Sequence, residues 1–212
     1  MHIPDGFINA PVAVTTGAVA VAVVVVAVKT TNKKIGEKQV PMMGVLAAFI
    51  FAAQMLNFPV VGGTSGHFLG AALAAILLGP WSSVLIMSAV LVVQCLIFQD
   101  GGLLALGANI TNMGIVASFS SYYVYKGIDV LLKHGKTGML VGAGVGAWFS
   151  VVIASLLCAA ELSMSGTSPW GIALVAMGGI HVIIGIGEGL ITAAVLSLIM
   201  ATRADLLKLQ VA

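Results

Sequence analysis

Apolar runs of membrane-spanning length restrict this chain more than any other feature. The stretch Pro11–Val28 carries no charged residue, and a helix needs about 20 predominantly apolar residues to cross a hydrocarbon core. Divided at its glycine, proline and polar breaks, the sequence gives about seven candidate helices, at 8–28, 41–56, 67–79, 82–98, 108–125, 137–160 and 171–201. Segment 67–79 is too short for a full crossing unless its ends are buried in protein, so a half-depth element is expected there. A water-soluble globule carries about 25% charged residues, whereas this chain carries 8%, with 60% hydrophobic. The expected fold is an all-α, multi-pass membrane protein forming a single domain over 1–212, in the cell membrane and in contact with lipid.

The basic residues orient it. Lys29, Lys33, Lys34 and Lys38 follow the first candidate helix, Lys126, Lys133 and Lys136 follow the fifth, and Arg203 and Lys208 follow the seventh. With seven crossings all nine fall on one side, which the excess of Lys and Arg in cytoplasmic loops marks as the inside. The N-terminus and the loops 57–66, 99–107 and 161–170 are then outside, and the C-terminus is cytoplasmic. Nine scattered cations form no basic stripe for nucleic acid. The first lysine comes after the first apolar stretch, which is the wrong order for a cleavable signal, so that segment is expected to be retained. Cys95 and Cys158 both fall within apolar runs and read as small hydrophobes. The 26 glycines often recur at small-residue spacing, as at Gly138, Gly142 and Gly146, which suits close helix packing in lipid.

Candidate chemistry rests on the histidines. At His2 the Met1 α-amine, the backbone nitrogen of residue 2 and imidazole Nδ1 can close fused five- and six-membered chelate rings around one ion. That set is planar, and planar nitrogen coordination suits Ni(II) or Cu(II) rather than tetrahedral zinc. The competing reading is a polar residue on a frayed terminus. His67 ends the glycine-rich loop Val61-Gly62-Gly63-Thr64-Ser65-Gly66; on the same side of the membrane as His2, it can supply a fourth nitrogen or serve as an interfacial structural residue. His181 and Glu188 are spaced to share one face of the last helix, where intramembrane ionisable groups usually have an interior partner; a structural network is the expected role. His134 lies in a basic loop and is expected at the surface. Gln54, Asn57, Gln94, Gln99, Asn109, Thr111 and Asn112 gather near the outer helix ends and are available to hydrogen-bond loops or orient a ligand.

The sequence contains no G-x-x-x-x-G-K-[ST] phosphate loop and no H-E-x-x-H, so neither ATP hydrolysis of the Walker type nor zinc-protease chemistry is expected of this chain. The chain is not expected to be an enzyme. Energy for transport then comes from an ion gradient or a partner. A self-sufficient carrier built on Glu188 and His181 is the alternative, but ion-coupled carriers usually show paired intramembrane carboxylates or matched halves.

The opening Met1-His2-Ile3-Pro4-Asp5-Gly6-Phe7-Ile8, the loop Ser65-Gly66-His67, and the pairs Gly179-Ile180-His181 and Gly187-Glu188-Gly189 resemble the CbiM/NikM family, the substrate-specificity (S) components of energy-coupling factor transporters for cobalt and nickel. The resemblance covers nearly the whole chain. It implies an additional N-terminal segment and helix, here 1–28, that delivers the terminus to the core. It also implies coordination by the Met1 amine, the His2 amide and imidazole, and His67, with Ni(II) or Co(II) as transported substrate. The Pro4-Asp5-Gly6 form is similar to nickel members. Implied partners are a transmembrane coupling (T) subunit, cytoplasmic ATPase subunits and a small accessory membrane subunit. Because the ligands must be deprotonated, capture should weaken as pH falls.

Overall fold

The computed structural model describes residues 1–37 and 39–208. Lys38 and residues 209–212 of the expected 1–212 domain lie outside the described residues.

Every candidate apolar run is helical over most of its length. Helix α1 (Ala10–Lys34) starts where the Asn9 side chain accepts from Val12 N at 3.1 Å, with Pro11 in the first turn. Both features favour a helix start, because the first amide groups have no intrahelical acceptor. α2 (Gln39–Gln54) leads into a short antiparallel pair, β1 (Phe58–Pro59) and β2 (Ser65–Gly66), in which Phe58 faces Gly66 and Pro59 faces Ser65. α3 (Ala71–Leu78) is followed without a loop by α4 (Pro80–Phe98). α5 (Leu106–Asn109), a π-helical stretch Ile110–Val116 and α6 (Ala117–Leu131) form one continuous rod. α7 (Lys136–Met164) follows, and α8 (Trp170–Ala173), a second π-helical stretch Leu174–Gly179 and α9 (Ile180–Thr202) make the last rod. A 3-10 turn covers Ala204–Lys208.

Four rods, namely α1, α4, α7 and Trp170–Thr202, are long and apolar enough to cross a membrane, and α2 is apolar but shorter. All eight residues of α3 are buried, so this short element is enclosed by protein at both ends. Helix begins there at Ala71 rather than at 67 as the apolar run suggested. Gly70 has φ +82°, which a right-handed helix cannot include, and His67–Leu69 approach it in non-helical backbone.

Small residues set the helix spacing, as expected of close packing in lipid. A Cβ on Gly142 or Gly146 of α7 would stand 2.8 Å and 2.7 Å from the Tyr125 and Ser121 carbonyls of α6, and one on Gly189 of α9 would stand 2.7 Å from the Gly144 carbonyl of α7. A Cβ on Gly107 would lie 2.4 Å from Gly17 Cα, so α1 meets the rod that begins at Leu106 backbone to backbone. Asn9 Nδ2 donates to Met164 O at 3.2 Å, which places the start of α1 beside the end of α7. The chain end and the loops around Ser65, Asp100 and Thr167 therefore cluster at one end of the bundle.

Candidate metal centre

The first nine residues are non-helical and pinned along their length. Ile3 N donates to Asn109 Oδ1 at 2.8 Å, and Ile3 O accepts from Asn109 Nδ2 at 3.2 Å and from Gly102 N at 2.8 Å. The Asp5 carboxylate accepts from Leu103 N at 3.0 Å and Leu104 N at 2.8 Å, and the Thr167 hydroxyl donates to Phe7 O. Every backbone polar group carried below the surface must find such a partner. Those pins hold Met1, His2 and Ile3 fully buried.

The buried terminus meets the loop that carries His67. The Met1 amine donates to Ser65 O at 2.5 Å and to Ser65 Oγ at 2.9 Å, and His2 N donates to Ser65 Oγ at 3.0 Å. Burial pushes the amine down to about 5, against which Cys158 and Asp100 act weakly. Near neutral pH it is therefore NH2: two hydrogens face Ser65, and one lone pair is left over.

The two imidazoles are neutral for the same reason. Burial, then the neighbouring terminal amine, push His2 down to about 3. Burial, the amine and His2 hold His67 well below its ordinary value. The 3.3 Å approach of His2 Nδ1 to Asp100 Oδ1 is consequently not an ion pair, and His2 Nδ1 makes no hydrogen bond. The rings of His2 and His67 stack with centroids 4.6 Å apart and planes inclined by 26°.

Which ring nitrogen carries the proton follows from a relay of side-chain amides. Gln54 Nε2 donates to Leu69 O at 2.6 Å, and a carbonyl can only accept, so Gln54 presents Oε1 to Gln94 Nε2 at 3.0 Å. Gln94 must then present Oε1 to His2 Nε2, at 3.0 Å. His2 donates from Nε2, and Nδ1 keeps a bare lone pair. In His67 the Nδ1–H donates to Phe68 O at 2.7 Å, leaving Nε2 bare, and that atom has no partner. The protein thus fixes, through second partners, which nitrogen is free to ligate.

Met1, His2 and His67, the three residues singled out as metal ligands, are brought together. His181 and Glu188 lie behind them with partners of their own. His181 Nδ1 donates to Met177 O at 2.7 Å, and its Nε2 has no partner. Both Glu188 oxygens are occupied, accepting from Leu69 N at 2.6 Å and Gly70 N at 2.7 Å, so this carboxylate holds the entry to α3. His134 is exposed and sits 2.9 Å from Asp129, far along the chain from the cluster. Of the polar residues grouped by sequence, Gln54, Asn57, Gln94 and Asn109 reach the centre. Asn112 instead donates to Glu161 at 2.6 Å, and Thr111 donates to Thr16 O at 3.2 Å. Ser65 and Asp100 were not singled out as contacts: Ser65 stood out only as part of the loop Ser65-Gly66-His67, and Asp100 only as a charge of the outer loop 99–107.

Among the described residues, no three His, Cys, Asp or Glu side chains group as a metal cage.

Residues 2–206 match the family model for CbiM, "Cobalt uptake substrate-specific transmembrane region". The chain belongs to the CbiM/NikM family. Within it, this member is 41% identical over 98% of its length to an Archaeoglobus fulgidus protein provisionally named a fused nickel transport protein, NikMN, of which it covers 68%. It is 33% identical over 100% of its length to the cobalt transport protein CbiM of Sorangium cellulosum, covering 96% of that protein. Its fold superposes with a TM-score of 0.89 and 35% identity on a crystal structure described as a truncated transition metal transporter, covering 95% of this chain and 99% of that one. The CbiM/NikM assignment agrees with the apolar rods: this is a multi-pass membrane protein of a metal-transport family.

Proposed function

We propose that this CbiM/NikM protein is the substrate-binding subunit of an energy-coupling factor importer, capturing Ni(II), with Co(II) as the related substrate, at the outer face of the membrane. The Met1 amine, the His2 amide nitrogen and Nδ1, and His67 Nε2 are the ligands. One observation carries the reading: at neutral pH the amine, His2 Nδ1 and His67 Nε2 each hold an uncommitted lone pair within one buried cluster. Bare donors without hydrogen-bond partners are costly to bury, and a metal ion satisfies them together.

Loading requires some rearrangement. Nearly parallel rings aim their in-plane lone pairs along separate planes, so one imidazole turns to share an ion with the other. His2 is tied at Nε2 to the Gln94 relay, whereas His67 is tied only to the carbonyl of its neighbour Phe68; His67 is the ring that turns. The His2 amide gives up its proton to bulk water on binding, and the Ser65 hydroxyl, which had accepted that N–H, keeps the hydrogen bond from the Met1 amine. The whole chain acts as one binding domain, with 1–28 as the delivering segment. Reorientation and release to the cytoplasm are driven by separate ATPase subunits through a T subunit, with a small accessory membrane subunit, because this chain has no phosphate loop.

The deciding experiment is metal analysis and titration of protein with an unmodified N-terminus using Ni(II), Co(II), Cu(II) and Zn(II). The expected result is stoichiometric Ni(II) with a square-planar absorption spectrum, lost in His67→Ala and kept in His134→Ala. Equal nickel binding by His67→Ala ends the assignment.

A further inference from the structure

The proposed donors have no open side, and the cover over them bears a carboxylate. Residues 99–102 fold across the chain end through left-handed backbone at Gln99 (φ 56°) and Gly101 (φ 95°). A Cβ on Gly101 would stand 3.6 Å from His2 Cβ and Cδ2, and Gly102 N is bonded to Ile3 O. Within that cover, the Asp100 side chain is 19% exposed while the His2 side chain it touches is 2% exposed. Asp100 therefore reaches solvent and the bare His2 nitrogen at once.

Its geometry is that of a ligand lacking an ion. The amide relay leaves His2 Nδ1 with a lone pair and no hydrogen, so at 3.3 Å two electron-rich atoms face each other with nothing between them. A cation makes such a contact favourable. Two donors each about 2.0 Å from one ion, at about 90°, stand about 2.8 Å apart, so an ion would draw these two atoms together by roughly half an ångström. The carboxylate is also held in place: its Oδ2 accepts from Asn57 Nδ2 at 2.9 Å, and Asp100 N donates to Gln94 O at 3.0 Å. Carboxylate oxygen is a harder donor than imidazole and suits the hydrated ion, whereas nitrogen holds nickel better. An ion met by oxygen first and nitrogen second moves inward.

We propose that Asp100 is the entry ligand: its Oδ1 takes the divalent ion at the mouth and passes it to His2 Nδ1. This rests on the reading of Met1, His2 and His67 as the binding set. Asp100 governs how fast the ion arrives, and the nitrogen donors govern how tightly it stays.

The test is stopped-flow binding of Ni(II) to purified full-length protein with an unmodified terminus, comparing wild type with Asp100→Asn and Asp100→Glu at low and high salt. Asp100→Asn keeps an oxygen for Asn57, and is expected to slow association by about tenfold or more. That slowing should persist at high salt, with dissociation slowed in the same proportion, so that affinity, the nickel spectrum and the melting temperature are unchanged. Asp100→Glu should restore association to within a few-fold of wild type. Unchanged association in Asp100→Asn overturns the proposal, as does a slowing that vanishes at high salt, which is charge steering only. A lower affinity, whether from dissociation that is unchanged or faster, or an altered spectrum also overturns it, by making Asp100 a resident ligand. Should Asp100→Asn fail to fold, Asp100→Ser is judged by the same criteria. A wild type that binds no nickel brings down the underlying assignment instead, and is seen before any variant is measured.

Discussion

Two adjoining regions of the chain are buried in opposite ways. Met1 and Ile3 are 0% exposed, while Val14 and Val21 of the helix directly after them are 71% and 66% exposed. The helix is peripheral and the tail it carries is central. α1 touches the bundle through positions such as Val12, Gly17, Ala20 and Ala27 and turns other valines, among them Val14, Val21 and Val25, outward to lipid. The tail is held instead by hydrogen bonds to Asn109, Gly102, Ser65 and the amides of Leu103 and Leu104. Apolar surface in lipid gains little from protein contact, so α1 is free to be a carrier, while the tail is fixed by groups that specify one position.

The contrast breaks most readily at the first atom. Adding one residue before Met1, or acetylating it, turns the amine into an amide without a usable lone pair. Nickel affinity measured by calorimetry should fall by more than the roughly 10–100-fold that indirect changes cost, with helicity by circular dichroism retained. Native affinity in the extended protein would make the depth of the tail irrelevant to binding. A smaller effect is expected one bond further out: Gln94→Leu removes the acceptor that keeps the proton on His2 Nε2, and affinity should drop by about 10–100-fold. No change there would mean that the ring finds its tautomer unaided.

Acidity sharpens the same contrast. The amine sits at about 5 in the folded protein against 8.0 when free, so between these values the unfolded chain binds the extra proton. The stability that the amine contributes to the metal-free protein should therefore be lost as pH falls from 8 to 5, and that of His2 from 6.5 towards 3. Thermal unfolding in detergent of protein with a free and with an acetylated terminus isolates the amine's share; a difference between the two that does not change from pH 8 to 5 contradicts burial of a neutral terminus. For each unit by which pH falls, nickel affinity should drop about tenfold above pH 6, where only the His2 amide gives up a proton, and more steeply below the amine's value of about 5. At the small end, Val21→Ala on the lipid face should leave nickel affinity unchanged and alter stability by no more than about 0.5 kcal/mol.

How far the sequence carried is clearest residue by residue. The helices were legible because lipid as solvent demands long apolar runs, and α3 was marked as unusual by its length. That Met1, His2 and His67 meet was foreseeable, because a chelate at the chain end has a fixed covalent spacing and glycines flank the loop histidine. The start of α3 at Ala71 was not, since it depends on Gly70 adopting a left-handed conformation and on Glu188, far along the chain, taking the Leu69 and Gly70 amides. The Gln54–Gln94 relay was not legible either. Amides at the ends of two apolar helices announce polar partners, but only the three-dimensional path from Leu69 O assigns each oxygen and nitrogen. Both π-helical stretches escaped notice, because a wide turn leaves the hydropathy pattern nearly unaltered.

The backbone contact between Gly17 and Gly107 has a consequence for the terminus. With no side chain at position 107, the backbone of α1 at Gly17 seats directly against it, and that contact helps to set how far inward the leading nine residues extend. Position 107 is thus a spacer of zero thickness. Any methyl group placed there would lift α1 from its seat and draw the amine away from Ser65, a ruler for the ligand set lying well outside it.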